Sequence, residues 1–267
     1  MSTERRVNKN LAKKLEEFNK AAALTAEEII FETFPTKSRL SSDNALRSEF
    51  QELIESTQSP SSPFHTSHAA TFTDPTVYPP PSAGGSAEPE TKKRKLTAEG
   101  SVNGASSQGV TASNGIHHAV YPNLVVTNQH LPQVYTVLKT ECEALIELCD
   151  KVKLWVNLSM PKIEDGDNFG VQIQEGNVTS IRESAYNIRD ARRQGHLARA
   201  KISSKIIKYP HVEDYTLALK EHDQKQLYIA RQNLNDLRNV YAVLTDILHK
   251  NIAKIRSPKG NNLSGLY

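Results

Sequence analysis

The sequence predicts an all-α protein: an antiparallel, up-down-up-down four-helix bundle with a long disordered linker between its first and second helices. Three observations lead there. Apolar residues recur at steps of three and four along four separate segments, the spacing that gathers them on one face of a helix. Prolines and turn-forming clusters stand where those segments end. Between the first and second segments, residues 56–115 are roughly half Ser, Thr, Gly and Pro, too little apolar surface to offset the entropy of ordering. The resulting division is residues 1–35 for the first helix, 36–127 for the linker, 128–256 for the other three helices and 257–267 for a tail.

The first helix is expected from about Thr3 to Phe34. Val7, Leu11, Leu15, Phe18, Ala22, Ala26 and Ile29 form its stripe, and Pro35 is expected to stop it. In the linker, Asp43 to Glu55 carries Leu46, Phe50, Leu53 and Ile54 at helical spacing and predicts a marginal helix. Farther on, Lys92-Lys93-Arg94-Lys95 reads as a nuclear import signal in an exposed segment.

The second helix runs from about Asn128 to Met160. Its stripe is Val134, Leu138, Glu141, Leu145, Leu148, Val152 and Trp155, with Pro132 in the first turn, where a missing amide donor does little harm. Pro161 ends it. The third is expected from Asn177, as N-cap, to Tyr209, with Val178, Ile181, Ala185, Ile188, Gly195, Ala198, Ile202 and Ile206 on one face. Its second half is basic: Arg189, Arg192, Arg193, His196, Arg199, Lys201, Lys205 and Lys208. A tight turn, Tyr209-Pro210-His211-Val212, leads to the fourth helix. Glu213 and Asp214 suit its N-terminal dipole, Lys250, Lys254 and Arg256 suit its C-terminal one, and Pro258 stops it.

In such a bundle the loop between the second and third helices shares one end with the tail. That loop, Pro161 to Gln174, opens with proline, is punctuated by Gly166 and Gly170, and carries Ile163, Phe169 and Val171 as apolar anchors. A loop held between long helices commonly carries function, and this one is expected to act on a partner protein.

Composition narrows the alternatives. Basic residues number 33 against 30 acidic, so net charge gives no reason to expect a nucleic-acid binder. The two cysteines, Cys142 and Cys149, are seven residues apart on one helix, roughly 10 Å between α-carbons, too far for a disulfide. They fit a reducing compartment. No apolar run is long enough to span a bilayer, so a soluble intracellular protein is expected, without membrane contact. No phosphate-binding glycine loop, nucleophile elbow or zinc-binding histidine pair occurs. Asp165, Asp167 and Gly170 match part of a calcium loop, but Phe169 and Gly176 fall where side-chain ligands are required. No catalytic residue, cofactor or metal site is therefore expected.

Lys162-Ile163-Glu164-Asp165-Gly166-Asp167-Asn168-Phe169-Gly170-Val171 resembles the activation loop of the non-ATPase proteasome activators, the eleven-S or REG family. Lys208-Tyr209-Pro210-His211-Val212-Glu213-Asp214-Tyr215 is similar to that family's turn between its third and fourth helices. Leu237-Arg238-Asn239, Lys250-Asn251-Ile252 and Leu266-Tyr267 match as well. The likeness is weak over 1–35 and strong over 128–267, and the Tyr209 turn and basic cluster bring it nearest the gamma-type, nuclear member. The family's loop reads Gly-Asn-Asn-Phe-Gly; Asp167 stands here for the first asparagine, keeping the turn chemistry and adding a charge.

The resemblance implies a heptameric ring of identical subunits that caps the α-subunit ring of the proteasome core particle. Its tails, ending in Leu266 and Tyr267, bind the core, and its loops open the gate. It also implies a non-catalytic, ATP-independent regulator, found in the nucleus with some in the cytoplasm and binding no specific nucleic acid. The competing reading is a nuclear nucleic-acid-binding or scaffold protein using the basic face of the third helix; salt-dependent DNA binding would favour it. An enzyme reading has no constellation of residues behind it.

Overall fold

The computed structural model describes residues 9–38, 49–69, 71–79, 123–160 and 168–258. Its elements are α1 (Lys9–Glu28), a π turn (Ile29–Thr33), α2 (Phe34–Ser38), α3 (Glu49–Gln58), a 3-10 turn (Thr66–His68), α4 (Leu131–Leu158), α5 (Asn168–Lys208) and α6 (Glu213–Arg256). Among the described residues the only β pairing is a single antiparallel bridge, Tyr78 to Leu124. The all-α bundle is as expected.

Contacts along the helices fix their directions. Asn128 meets Asp223 and Glu141 meets Tyr241, so α4 and α6 run parallel. Asp150 pairs with Arg182 and Glu143 with Arg189, so α5 runs antiparallel to α4. Glu27 pairs with Arg256, Phe31 packs on His249 and Phe34 on Tyr241, so the α1–α2 rod runs antiparallel to α6. These are the directions of an up-down-up-down bundle. Its core is α4's stripe (Val134, Leu138, Cys142, Leu145, Val152) against α6's (Leu227, Leu234, Leu237, Leu244, Leu248).

Pro35 does not stop the first helix. The chain widens into a π turn, in which the Phe34 amide bonds the Ile29 carbonyl, and continues to Ser38. Proline removes an amide donor and crowds the carbonyl four residues back; a wider turn ahead of it absorbs both effects. Lys37 then reaches Glu141 at 2.8 Å, and Glu141 also accepts from the Tyr241 hydroxyl at 2.6 Å. The expected stripe divides in two: Ala26 and Ile29 are buried, while Leu11, Leu15 and Phe18 are 59, 54 and 51 % exposed.

Parts of the linker are folded beyond the one marginal helix expected there. The marginal helix forms as α3, shifted to Glu49–Gln58, and buries Phe50, Leu53 and Ile54 against α4 and α6. Phe64 and Phe72 then pack edge-on against His130, and the Thr73 hydroxyl donates to Asp223. From the other side, Asn128 caps α4 by accepting from the amides of His130 and Leu131. The rod α1–α2 therefore covers one half of the α4–α6 groove, and the arm 49–79 covers the other.

The third helix also begins earlier than expected, at Asn168 rather than after Asn177, so Asn177 is not its N-cap. The helix passes through Gly176, where a Cβ would meet nothing within 4 Å. Glycine inside a helix costs about 1 kcal/mol against alanine. Burial of Gln174 and Val178, with the Lys153–Glu175 pair at 2.9 Å, favours the extension. Gly195 is different: a Cβ there would come within 2.7 Å of the Gln226 side chain, so glycine permits the close approach of α5 to α6.

Candidate functional site

The parallel course of α4 and α6 brings Ser159 and Ser257 to the same end of the bundle, beside the start of α5. Each strand is tied there. The Ser159 amide and hydroxyl both bond the Trp155 carbonyl at 2.9 Å, closing α4. Lys153–Glu175 and the two-bond Arg182–Asp150 pair (2.6 and 3.3 Å) lace α4 to α5. On α6, Arg256 holds Glu27 through two hydrogen bonds of 2.7 and 2.8 Å and lies over the Phe31 ring. The bonds from Arg256 keep the Glu27 carboxyl below the usual range, and those from Lys153 do the same for Glu175. The end of α6 is thus clamped to the first helix, and the end of α4 is laced to the start of α5.

Of the expected loop residues, Asn168, Phe169 and Gly170 lie in the backbone of α5's first turn. Lys162, Ile163, Glu164, Asp165, Gly166 and Asp167 lie outside the described residues, as do Leu266, Tyr267 and the cluster Lys92, Lys93, Arg94 and Lys95. What comes together is the set of anchors from which loop and tail start. Arg256 and Glu27, which form the clamp, were missed because residues 229 apart carry no local pattern. The α4–α5 lacing did leave a signal: Glu143 and Asp150 are seven apart, and so are Arg182 and Arg189.

At the opposite end sits a buried charge. The Asp223 side chain is 0 % exposed and binds Arg199 at 3.0 Å, Thr73 at 2.8 Å and Asn128 at 3.1 Å. Arg199 also donates to the Val126 carbonyl. One carboxylate therefore joins α5, α6, the arm and the entry to α4. Beyond it the α5–α6 hairpin continues to the Tyr209 turn, where Tyr209 stacks on Tyr215 and the Lys208 ammonium lies 5.2 Å from the Tyr209 ring centre.

The arginines of the third helix are consumed within the chain. Arg182, Arg189, Arg193 and Arg199 pair with Asp150, Glu143, Asp190 and Asp223, and Arg192 donates to the carbonyls of Arg189 and Tyr135. A phosphate backbone needs cations free to replace its counterions. The nucleic-acid reading therefore loses the arginines on which it partly rested.

Little here suggests small-molecule chemistry. Among the described residues no three His, Cys, Asp or Glu side chains converge on a possible metal position. Burial pushes both thiols up to about 12, so Cys142 and Cys149 are protonated at neutral pH.

Comparison with known proteins follows the same division of the chain. Residues 124–265 match the family described as "Proteasome activator PA28, C-terminal". The chain is 34 % identical over 266 residues to the human protein "Proteasome activator complex subunit 3", covering 98 % of each. The chain belongs to the PA28 proteasome activator family. The Dictyostelium discoideum protein "Proteasome activator 28" is 32 % identical over 148 residues, covering 54 % of this chain and 66 % of that one. The crystal structure of the 11S subunit of the Plasmodium falciparum proteasome, PA28, superposes with a TM-score of 0.62 at 24 % identity. It covers 96 % of this chain and 97 % of that one, and so supports the fold. The motif likeness to the eleven-S family, read from the loop and the Tyr209 turn, agrees with this membership, and the human relative is of the gamma type.

Proposed function

We propose that this protein is a non-catalytic activator subunit of the proteasome. It assembles as a homo-heptameric ring on the α-subunit ring of the core particle, binds through tails that include Leu266 and Tyr267, and opens the gate with the loop 162–170. The observation that carries this reading is the convergence of α4's end, α5's start and the Arg256-clamped end of α6 at one end of a bundle whose family is PA28. Loop and tail then reach the same partner surface. Association into a ring is supported by large apolar side chains left exposed on three helices: Leu11, Leu15 and Phe18 on α1, Tyr186 and Leu197 on α5, Leu217 and Tyr228 on α6. Each tail needs only weak affinity, because several tails on one ring raise the effective concentration of the rest. The cluster Lys92–Lys95 directs it to the nucleus, with a cytoplasmic fraction remaining.

Purified core particle should hydrolyse fluorogenic peptides faster when this protein is added, without nucleotide. An unchanged rate at saturating protein would contradict the proposal.

A further inference from the structure

The arm between Glu49 and Pro79 carries two serines followed directly by proline, Ser59-Pro60 and Ser62-Pro63. Its turns are held from within. Main-chain bonds run from Ser59 to Ser56, Ser62 to Ser59, His65 to Ser62, His68 to His65 and Thr71 to His68, at 3.0–3.2 Å. These are local i→i+3 bonds and join no ladder on the bundle. The arm is held instead by Phe50, Leu53 and Ile54 of α3, the Gln51 bond to the Thr36 carbonyl, the Phe64–His130–Phe72 contact, the Thr73–Asp223 bond and, at its far end, the Tyr78–Leu124 bridge. Segments held by few side chains open locally at less cost than the helices beneath them.

The two serines differ in surroundings. Ser59 is half-buried, and its hydroxyl pairs with that of Ser61. Ser62 is 9 % exposed; its hydroxyl lies 2.5 Å from that of Ser56 and accepts from the Phe64 amide. A phosphate on that oxygen would break its contacts with the Ser56 hydroxyl and the Phe64 amide. It would also stand just past the negative end of the α3 dipole, on an arm that contains Glu49, Glu52, Glu55 and Asp74 but no lysine or arginine between 49 and 79.

We infer that Ser62 is a phosphorylation site for a proline-directed protein kinase, and that phosphate on it holds the arm off the bundle. The Ser62 oxygen attacks the terminal phosphorus of a nucleoside triphosphate. The new O–P bond replaces the bond to the bridging oxygen, the nucleoside diphosphate leaves, and the serine proton passes to the kinase base. Because docked Ser62 is enclosed, the kinase acts on the open arm. The phosphate then prevents reclosure, which shifts the population without altering the helices. Undocking uncovers Asp223 and the His130 face of α4, at the end away from the tail.

The test uses the full chain, a purified proline-directed serine/threonine kinase and magnesium ATP. Site occupancy is read by mass spectrometry and arm docking by amide hydrogen exchange. Expected are phosphate on Ser62, loss of protection over residues 49–72 in the modified protein, and retained protection in α4 to α6. Leu53→Ala, which weakens the docked state, should speed the modification by at least about tenfold. Pro63→Ala should abolish it while leaving the arm docked. No phosphate on Ser62 in either the wild type or Leu53→Ala, phosphate confined to Ser59, or Ser62 phosphate with protection unchanged would each overturn the inference. Neither readout involves the core particle, so the result is independent of the activator reading.

Discussion

The two ends of the bundle are built from the same residue types in opposite ways. At the tail end the charges are half-exposed and pair across helix surfaces: Arg256 with Glu27, Lys153 with Glu175, Arg182 with Asp150. At the hairpin end one fully enclosed carboxylate, Asp223, is satisfied by three partners from three parts of the chain. Exposed pairs contribute little stability and serve mainly to set position, whereas a buried charge is costly to leave unmatched. The hairpin end carries the charge that is costly to disturb, and under the proposed function the tail end sets where loop and tail depart.

That contrast predicts its largest effect at Asp223. Asp223→Ala leaves the Arg199 guanidinium buried without its anion and removes the acceptor of Thr73 and Asn128. It should cost about 3–5 kcal/mol of stability in urea unfolding. A loss near zero would mean that water replaces the carboxylate and that the node is not structural.

Deletions of the linker sharpen the same point. Tyr78 and Leu124 bond each other in both directions at 2.8 and 2.9 Å, so the ends of the 80–122 segment already meet. Replacing 80–122 by a short Gly-Ser turn should leave the thermal midpoint nearly unchanged. Deleting 49–79 as well should lower it by several degrees, through loss of Phe50, Leu53, Ile54 and Thr73. Equal midpoints for the two deletions would show that the arm adds nothing to the bundle.

A smaller effect is expected from Tyr241→Phe. The Tyr241 hydroxyl, its pKa raised first by burial and then by Glu141, donates to a carboxylate that keeps Lys37 as a second partner. The loss should be about 1–2 kcal/mol, measured by the same unfolding curve.

The smallest stability effect belongs to the tail-end clamp. The Glu27 carboxyl is held below its ordinary value of 4.5 by Arg256, so its contribution is complete above that value and is lost as pH falls through the lowered one. Arg256→Gln should therefore lower the midpoint at pH 7 slightly and flatten its decline below pH 4.5 by the same small amount. It should weaken peptide-hydrolysis stimulation more than it weakens the fold. The reverse order would make the clamp a structural bond only.

Much of this architecture was legible in the sequence. The bounds of α6 match expectation because Glu213-Asp214 and Pro258 mark its ends with charge and geometry. Asp223 was detectable in principle: it stands between Leu219 and Leu227 at steps of four, a charge on an apolar face. Beyond α3 the arm was not legible, because Phe64, Phe72 and Thr73 are diluted among Ser, Thr and Pro, and their partners on the bundle, His130 and Asp223, lie more than fifty residues away. The start of α5 was misjudged because Gly170 read as punctuation and Asn177 as an N-cap, while burial of Gln174 and Val178 carries the helix through Gly176. At the site, sequence supplied the candidate residues and structure supplied their anchors.

The measurement that tests the tail-end claim most directly compares two variants in co-sedimentation with core particle and in fluorogenic peptide turnover. Deleting Tyr267 removes an aromatic contact from every tail of the ring, and even about 1 kcal/mol lost at each compounds over a multivalent contact. That variant should neither bind nor activate. Asp167→Tyr places a bulky ring between Gly166 and Asn168 and leaves the tail intact. It should co-sediment as the wild type does, fail to stimulate turnover, and compete with the wild type when in excess. Full activation by Asp167→Tyr would show that the loop only connects α4 to α5, and would contradict the account.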